Sequence, residues 1–72
     1  MQYILIFKTN IEFEFDICQI KNIFNNISSI TNWSIDREDI DKVLRIESLN
    51  NNVAEIINSL NNLGYLCEEL QD

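Results

Sequence analysis

The 72-residue chain has no histidine, one glycine, two cysteines and only five basic residues. Without histidine, neither Cys18 nor Cys67 has an imidazole to activate it as a nucleophile. With Gly64 alone, no glycine-rich loop is present to cradle phosphate. Two cysteines are too few for a disulfide framework, which predicts reduced thiols and a cytoplasmic setting. Five Lys and Arg stand against twelve Asp and Glu, a net charge of −7. Nucleic acid and anionic membrane surfaces call for a basic patch, so neither is an expected partner. The acidity fits solubility first and a basic protein partner second. No apolar run is long enough to span a bilayer, and no membrane insertion is expected. The apolar stretch Gln2–Phe7 lacks a basic region before it and a small-residue cleavage site after it, so no signal peptide is expected.

What is present is a small amphipathic chain. Apolar residues make up 46% of it, and thirteen of them are Ile. That content supports one packed domain over residues 1–72. Eleven Asn are spread over the predicted turns and solvent faces rather than forming a tract.

Gln2–Lys8 reads as a strand that is apolar on both faces, as a central strand is. Thr9–Glu14 reads as a loop. Asp16–Asn26 reads as a helix, with Ile17, Ile20, Phe24 and Ile27 at helical spacing and Ile23 widening the stripe. Asp16 with Gln19 three residues on predicts an N-cap, and Asn25-Asn26 predicts a left-handed end. Ile30–Asp36 is a second strand, with Trp33 and Ile35 on one face. Arg37–Asp41 is a polar hairpin connection, and Lys42–Glu47 is a third strand with Leu44 and Ile46 inward. Ser48–Asn52 is a polar turn. Val53–Leu63 is a second helix that buries Val53, Ile56, Ile57, Leu60 and Leu63, with Asn52 and Glu55 at its start. Gly64 supplies a positive φ at its end, and Tyr65–Leu70 is the last strand. The order β-α-β-β-α-β predicts an α+β ferredoxin-like sandwich: a four-stranded antiparallel sheet with both helices on one face.

The stretch Phe7-Lys8-Thr9-Asn10-Ile11-Glu12-Phe13-Glu14-Phe15-Asp16-Ile17 resembles the metal loop of heavy-metal-associated domains. The resemblance extends through Trp33-Ser34-Ile35-Asp36, Asp41-Lys42-Val43-Leu44 and Leu63-Gly64-Tyr65. In that family a C-x-x-C pair carries Cu(I) or Zn(II), because two thiolates approach one soft ion from a loop and a helix start. Here the two positions are Phe13 and Asp16, so the ligand pair is degenerate. Phe has no donor atom, and one carboxylate is a single hard ligand. The resemblance therefore implies a non-enzymatic protein–protein interaction module that has lost soft-metal binding. The alternatives are a metallochaperone-like protein with altered metal binding and a small regulatory or metabolite-binding domain. No cofactor is expected.

The candidate partner-binding residues are Glu12, Phe13, Glu14, Phe15, Asp16 and Tyr65. An acidic rim around aromatics suits a partner with Lys or Arg around an apolar recess. Phe13 has two open placements: an exposed anchor, or a side chain folded in where a metal is missing. The resemblance places Tyr65 over Phe13. Glu12, Glu14 and Asp16 form a possible hard-cation cluster, but a solvated acidic loop is the expected state. Cys18 and Cys67 occupy positions where the family tends to carry Ala, and both are expected to be buried. Ile4, Ile6 and Val43 are expected on the open sheet face, a second possible docking surface. No catalytic residue is predicted.

Overall fold

A computed structural model describes residues 2–70. Its elements are β1 (Tyr3–Thr9), α1 (Glu14–Asn25), β2 (Ile30–Asp36), β3 (Val43–Ser48), α2 (Val53–Asn62) and β4 (Cys67–Glu69). The strands form one antiparallel sheet in the order β2-β3-β1-β4, a ferredoxin-like α+β fold. Residues expected two apart on one face register accordingly. Leu5 lies opposite Ile46 and Phe7 opposite Leu44. Trp33 lies opposite Ile46 and Ile35 opposite Leu44.

The core forms where the sheet's inner face meets the helices. Phe7, Leu44, Ile46, Ile20, Ile56 and Leu60 are fully buried, with Leu5 and Phe24 close behind. Each such side chain contributes roughly 1.5–3 kcal/mol through water released from its surface. Phe24 of α1 meets Trp33 of β2 edge-on, at 5.2 Å between ring centroids. Trp33 and Ile35 are only half-buried, because β2 is an outer strand and the core thins toward it. Ile11, read as a loop residue, is fully buried. Leu63, expected in the α2 stripe, is instead exposed, because the helix ends at Asn62.

Several boundaries differ from the sequence reading for identifiable reasons. β1 runs on to Thr9, whose amide donates to the Asp41 carbonyl at 3.0 Å. α1 starts at Glu14, so Asp16 is the third helical residue rather than the N-cap. Its carboxylate reaches back to the Phe13 amide at 3.0 Å, half of a capping box. The predicted left-handed end of α1 is absent, since Asn26 sits at φ −92°. Among the described residues, the left-handed ones are Gly64 at φ 91° and Lys42 at φ 46°. Lys42 turns the chain into β3, which therefore begins at Val43 and extends to Ser48. β4 is short because Tyr65 and Leu66 bond elsewhere. The Tyr65 amide donates to the Leu60 carbonyl at 3.1 Å. The Leu66 amide donates to Asn10 Oδ1 at 2.9 Å.

Candidate docking site

Three connections meet at one end of the sheet: the β1–α1 loop, the β2–β3 hairpin and the α2–β4 turn. Thr9 joins the first two. Its hydroxyl donates to the Lys42 carbonyl at 2.6 Å and accepts from the Ile11 amide at 3.2 Å. Arg37 of the hairpin also spans to the loop. It donates to the Glu12 carbonyl at 3.2 Å and pairs with Glu14 at 2.9 Å. Lys8 pairs more loosely with Asp41 at 3.7 Å.

Asp16 and Tyr65 join the loop to the α2–β4 turn. The Tyr65 hydroxyl donates to Asp16 Oδ1 at 2.6 Å and accepts from Gln19 Nε2 at 3.1 Å. Asp16 Oδ2 accepts from the Phe13 amide and, at 3.4 Å, from the Glu12 amide. The Tyr65 hydroxyl and then the Phe13 amide hold the Asp16 carboxyl below its ordinary value, against a smaller opposing effect of burial. Burial first, and the Asp16 carboxylate second, push the Tyr65 hydroxyl up to about 12. Tyr65 is thus committed to Asp16 rather than covering Phe13.

The same bonds fix where the aromatics go. Ile11 is buried and Asp16 grips the amides of Glu12 and Phe13, so the backbone between them is anchored at both ends. Phe13 projects outward at 65% exposure and Phe15 at 70%. The inward placement of Phe13 is not adopted. Ile40 at the hairpin tip is 92% exposed, and Leu63 and Leu66 are exposed beside the α2–β4 turn. The sequence places Leu63 in the buried stripe of α2 and singles out neither Ile40 nor Leu66 as an exposed apolar residue. Ile40 breaks the polar run Arg37–Asp41, and that lone apolar residue was the available signal.

Carboxylates surround the apolar groups. Glu14 and Asp41 have cationic partners, and Asp16 is engaged by Tyr65. Glu12, Glu38 and Asp39 form no ion pair among the described residues. The possible hard-cation cluster is therefore dispersed: Glu14 turns to Arg37 while Asp16 turns to Tyr65. No three Cys, Asp or Glu side chains converge as a ligand set among the described residues, and no enclosed pocket is found there.

The cysteines part company. Cys67 is buried in β4 opposite Thr9, and burial pushes its thiol up to about 12. Cys18, expected to be buried, is exposed on α1. Helical geometry explains the correction. Two residues along a helix is a rotation of about 200°, so a Cys two positions before the fully buried Ile20 faces away from the core. On the open sheet face, Ile4 is exposed, while Ile6 and Val43 are half-buried beside the Arg45–Glu47 ion pair. Comparison of the chain with protein-family models, curated proteins and solved structures finds no match.

Proposed function

We propose that the chain is a non-enzymatic docking module, similar to heavy-metal-associated domains but without their metal transfer. It binds a partner protein through the end that carries the β1–α1 loop. The observation that carries this reading is the outward display of Phe13 and Phe15 on a backbone held by Ile11, Asp16, Tyr65 and Arg37. A held loop loses little freedom on binding, so the apolar area covered contributes more of its energy to affinity. Aromatic anchors of this kind dominate interface energetics, and the surrounding carboxylates speed encounter with a basic partner. The partner is a protein with an apolar recess edged by Lys or Arg. The aromatics stand proud of the surface, so the recess belongs to the partner.

Photo-crosslinking tests this directly. A benzoylphenylalanine in place of Phe15 should give one dominant adduct in cells, and the same probe at Asn58 on α2 should not. Phe13→Ser should abolish that adduct. With the captured partner, Glu12→Lys combined with Glu38→Lys should slow association most at low salt, where charges are least screened. Equal adduct patterns at positions 15 and 58 would place the docking face elsewhere.

A further inference from the structure

The outer edge of β2 is the least protected edge of the sheet. β4, the opposite edge, has three residues and two of them are Glu. β2 has seven residues, Ile-Thr-Asn-Trp-Ser-Ile-Asp, and a single charge at its end. Edge strands are usually blunted by short length, charge or a bulge. The one irregularity here lies at its start, between Ile30 and Asn32, and leaves Asn32–Asp36 regular.

Hydrogen bonding across the sheet shows which β2 groups face outward. In an antiparallel strand, each residue's N–H and C=O point together to one neighbour, and successive residues alternate. The Ile6 carbonyl accepts from the Leu70 amide at 2.8 Å, so Ile6 points to the β4 side. Its opposite residue Arg45 must then point to β2, where it faces Ser34. The Leu49 amide, four residues on in sequence, donates to the Ser29 carbonyl at 2.8 Å, which fits the same alternation. Ser34 is therefore turned inward, and the backbone groups of Trp33 and Ile35 are turned outward.

We infer that this edge pairs with the β2 edge of a second copy of the chain, antiparallel, about a two-fold axis at Ser34. Trp33 of each copy then faces Ile35 of the other, and each of these two pairs exchanges two backbone hydrogen bonds. Their half-buried side chains lie on the helix face and cover one another, an aromatic against a β-branched residue. On the other face, the Asp36 carboxylate of one copy meets the Asn32 carboxamide of the other. The only charge on the strand is thereby set against a hydrogen-bond donor and kept from its own duplicate. The thin flank of the core beside Trp33 is closed by the same contact. Pairing through β4 about a two-fold axis at Glu68 would instead set that carboxylate against its own duplicate.

The register gives a sharp test. The two Ser34 residues form a non-hydrogen-bonded pair with Cα atoms about 4.5 Å apart, within the reach of a disulfide. Ser34→Cys in a Cys18→Ser background should oxidise readily to a covalent dimer, and Asn58→Cys in the same background should not. Light scattering on the unmodified chain should show mass rising toward twice the monomer between micromolar and millimolar concentration. The emission of Trp33 should shift to the blue in parallel. Ser34→Glu places one carboxylate beside Arg45 within the monomer but two face to face in the dimer. It should abolish self-association while leaving the thermal midpoint of dilute protein unchanged. A chain that stays monomeric at millimolar concentration, with no preference for crosslinking at position 34 over 58, would overturn the inference. So would a dimer that survives Ser34→Glu.

Discussion

Replacing Ser48 by Ala removes one oxygen from the turn between β3 and α2, at a cost set by the bonds that oxygen makes. Ser48 is fully buried. Its hydroxyl donates to Asn52 Oδ1 at 2.9 Å and accepts from the Asn50 amide at 3.2 Å. Asn52 in turn donates to Ser29 Oγ at 3.0 Å and to Glu55 Oε1 at 2.8 Å. One side chain therefore ties the β3 end to the residue that precedes α2, and that residue ties the α1–β2 connection to both. In the Ala variant the Asn50 amide is exposed enough to find water, while Asn52 Oδ1 is only partly so. The cost should therefore sit in the middle of the range for a hydrogen bond lost on one side, ~1–2 kcal/mol. For a domain of this size that corresponds to a fall of about 5–15 °C in the thermal midpoint. Ser59→Ala is the control, because its hydroxyl bonds the Glu55 carbonyl on the solvent side of α2. It should change stability by no more than about 0.5 kcal/mol. Urea denaturation of both variants, with Asn52→Ala and the double variant Ser48→Ala/Asn52→Ala, gives the coupling between the two side chains. Equal midpoints for Ser48→Ala and Ser59→Ala, or strict additivity with Asn52→Ala, would refute the network.

Lys42 occupies the left-handed region at φ 46°, so Lys42→Val should destabilise by ~1–2 kcal/mol and Lys42→Gly should not, as read by denaturant titration. Iodoacetamide should modify Cys18 in the folded protein and spare Cys67, with peptide mapping as the readout. A thiol titrating at about 12 is ionised in only about one molecule in ten thousand at pH 8, and Cys67 is buried besides. The raised Cys67 and Tyr65 values also predict alkaline destabilisation. The unfolded chain loses these protons first, so the stability they supply is complete below about pH 9 and falls as pH rises toward 12. Phe13→Cys with Asp16→Cys should create Cu(I) binding, seen as thiolate-to-metal absorption. It should also lower the thermal midpoint, because Tyr65 and the amides of Glu12 and Phe13 lose their acceptor.

The fold was legible because its elements rest on periodicity. Asn32–Asp36 alternates, and the strand bounds Ile30–Asp36 coincide with β2 despite the irregularity between Ile30 and Asn32. The Ile20, Phe24, Ile56 and Leu60 positions follow from helical spacing and are buried. What stayed hidden depends on contacts between distant segments. Asp16 looked like an N-cap because acid followed by Gln three residues on is a local pattern. Its carboxylate instead caps the Phe13 amide from the third helical position, a local contact, and accepts from the Tyr65 hydroxyl, forty-nine residues away, a contact that no local pattern shows. Thr9 and Leu66 bond to Lys42 and Asn10, partners that no local window contains. Cys18 is different. Its exposure was available from the helix's own period, and the expectation of burial came from the family's habit of a small residue there. Ile40 is hidden differently: a single apolar residue in the polar run Arg37–Asp41 has no periodic partner to mark it.

The distribution of charge separates the two surfaces inferred for this chain. A net charge of −7 on so small a domain makes copies repel, and most strongly where carboxylates lack cations. At the loop end, Glu12, Glu38 and Asp39, which form no ion pair among the described residues, lie close in sequence to Phe13 and Ile40. On the proposed reading, these carboxylates disfavour a second copy by like-charge repulsion and suit a basic partner. Along β2 charge is sparse. Asp36 at its end is the one charge on the strand, Thr31, Asn32 and Ser34 are neutral, and neighbouring Arg45 is matched by Glu47 at 3.3 Å. Like-charge repulsion is weakest there, and the unpaired backbone groups of Trp33 and Ile35 are the chemistry a copy of the same strand can satisfy. The two surfaces share no residue, so the proposals fail independently. Ser34→Glu should leave crosslinking at position 15 intact, and Phe13→Ser should leave the Ser34→Cys disulfide intact. A change at one surface that altered the other would mean that the aromatics and the strand edge belong to a single interface, and that the charge argument dividing them is wrong.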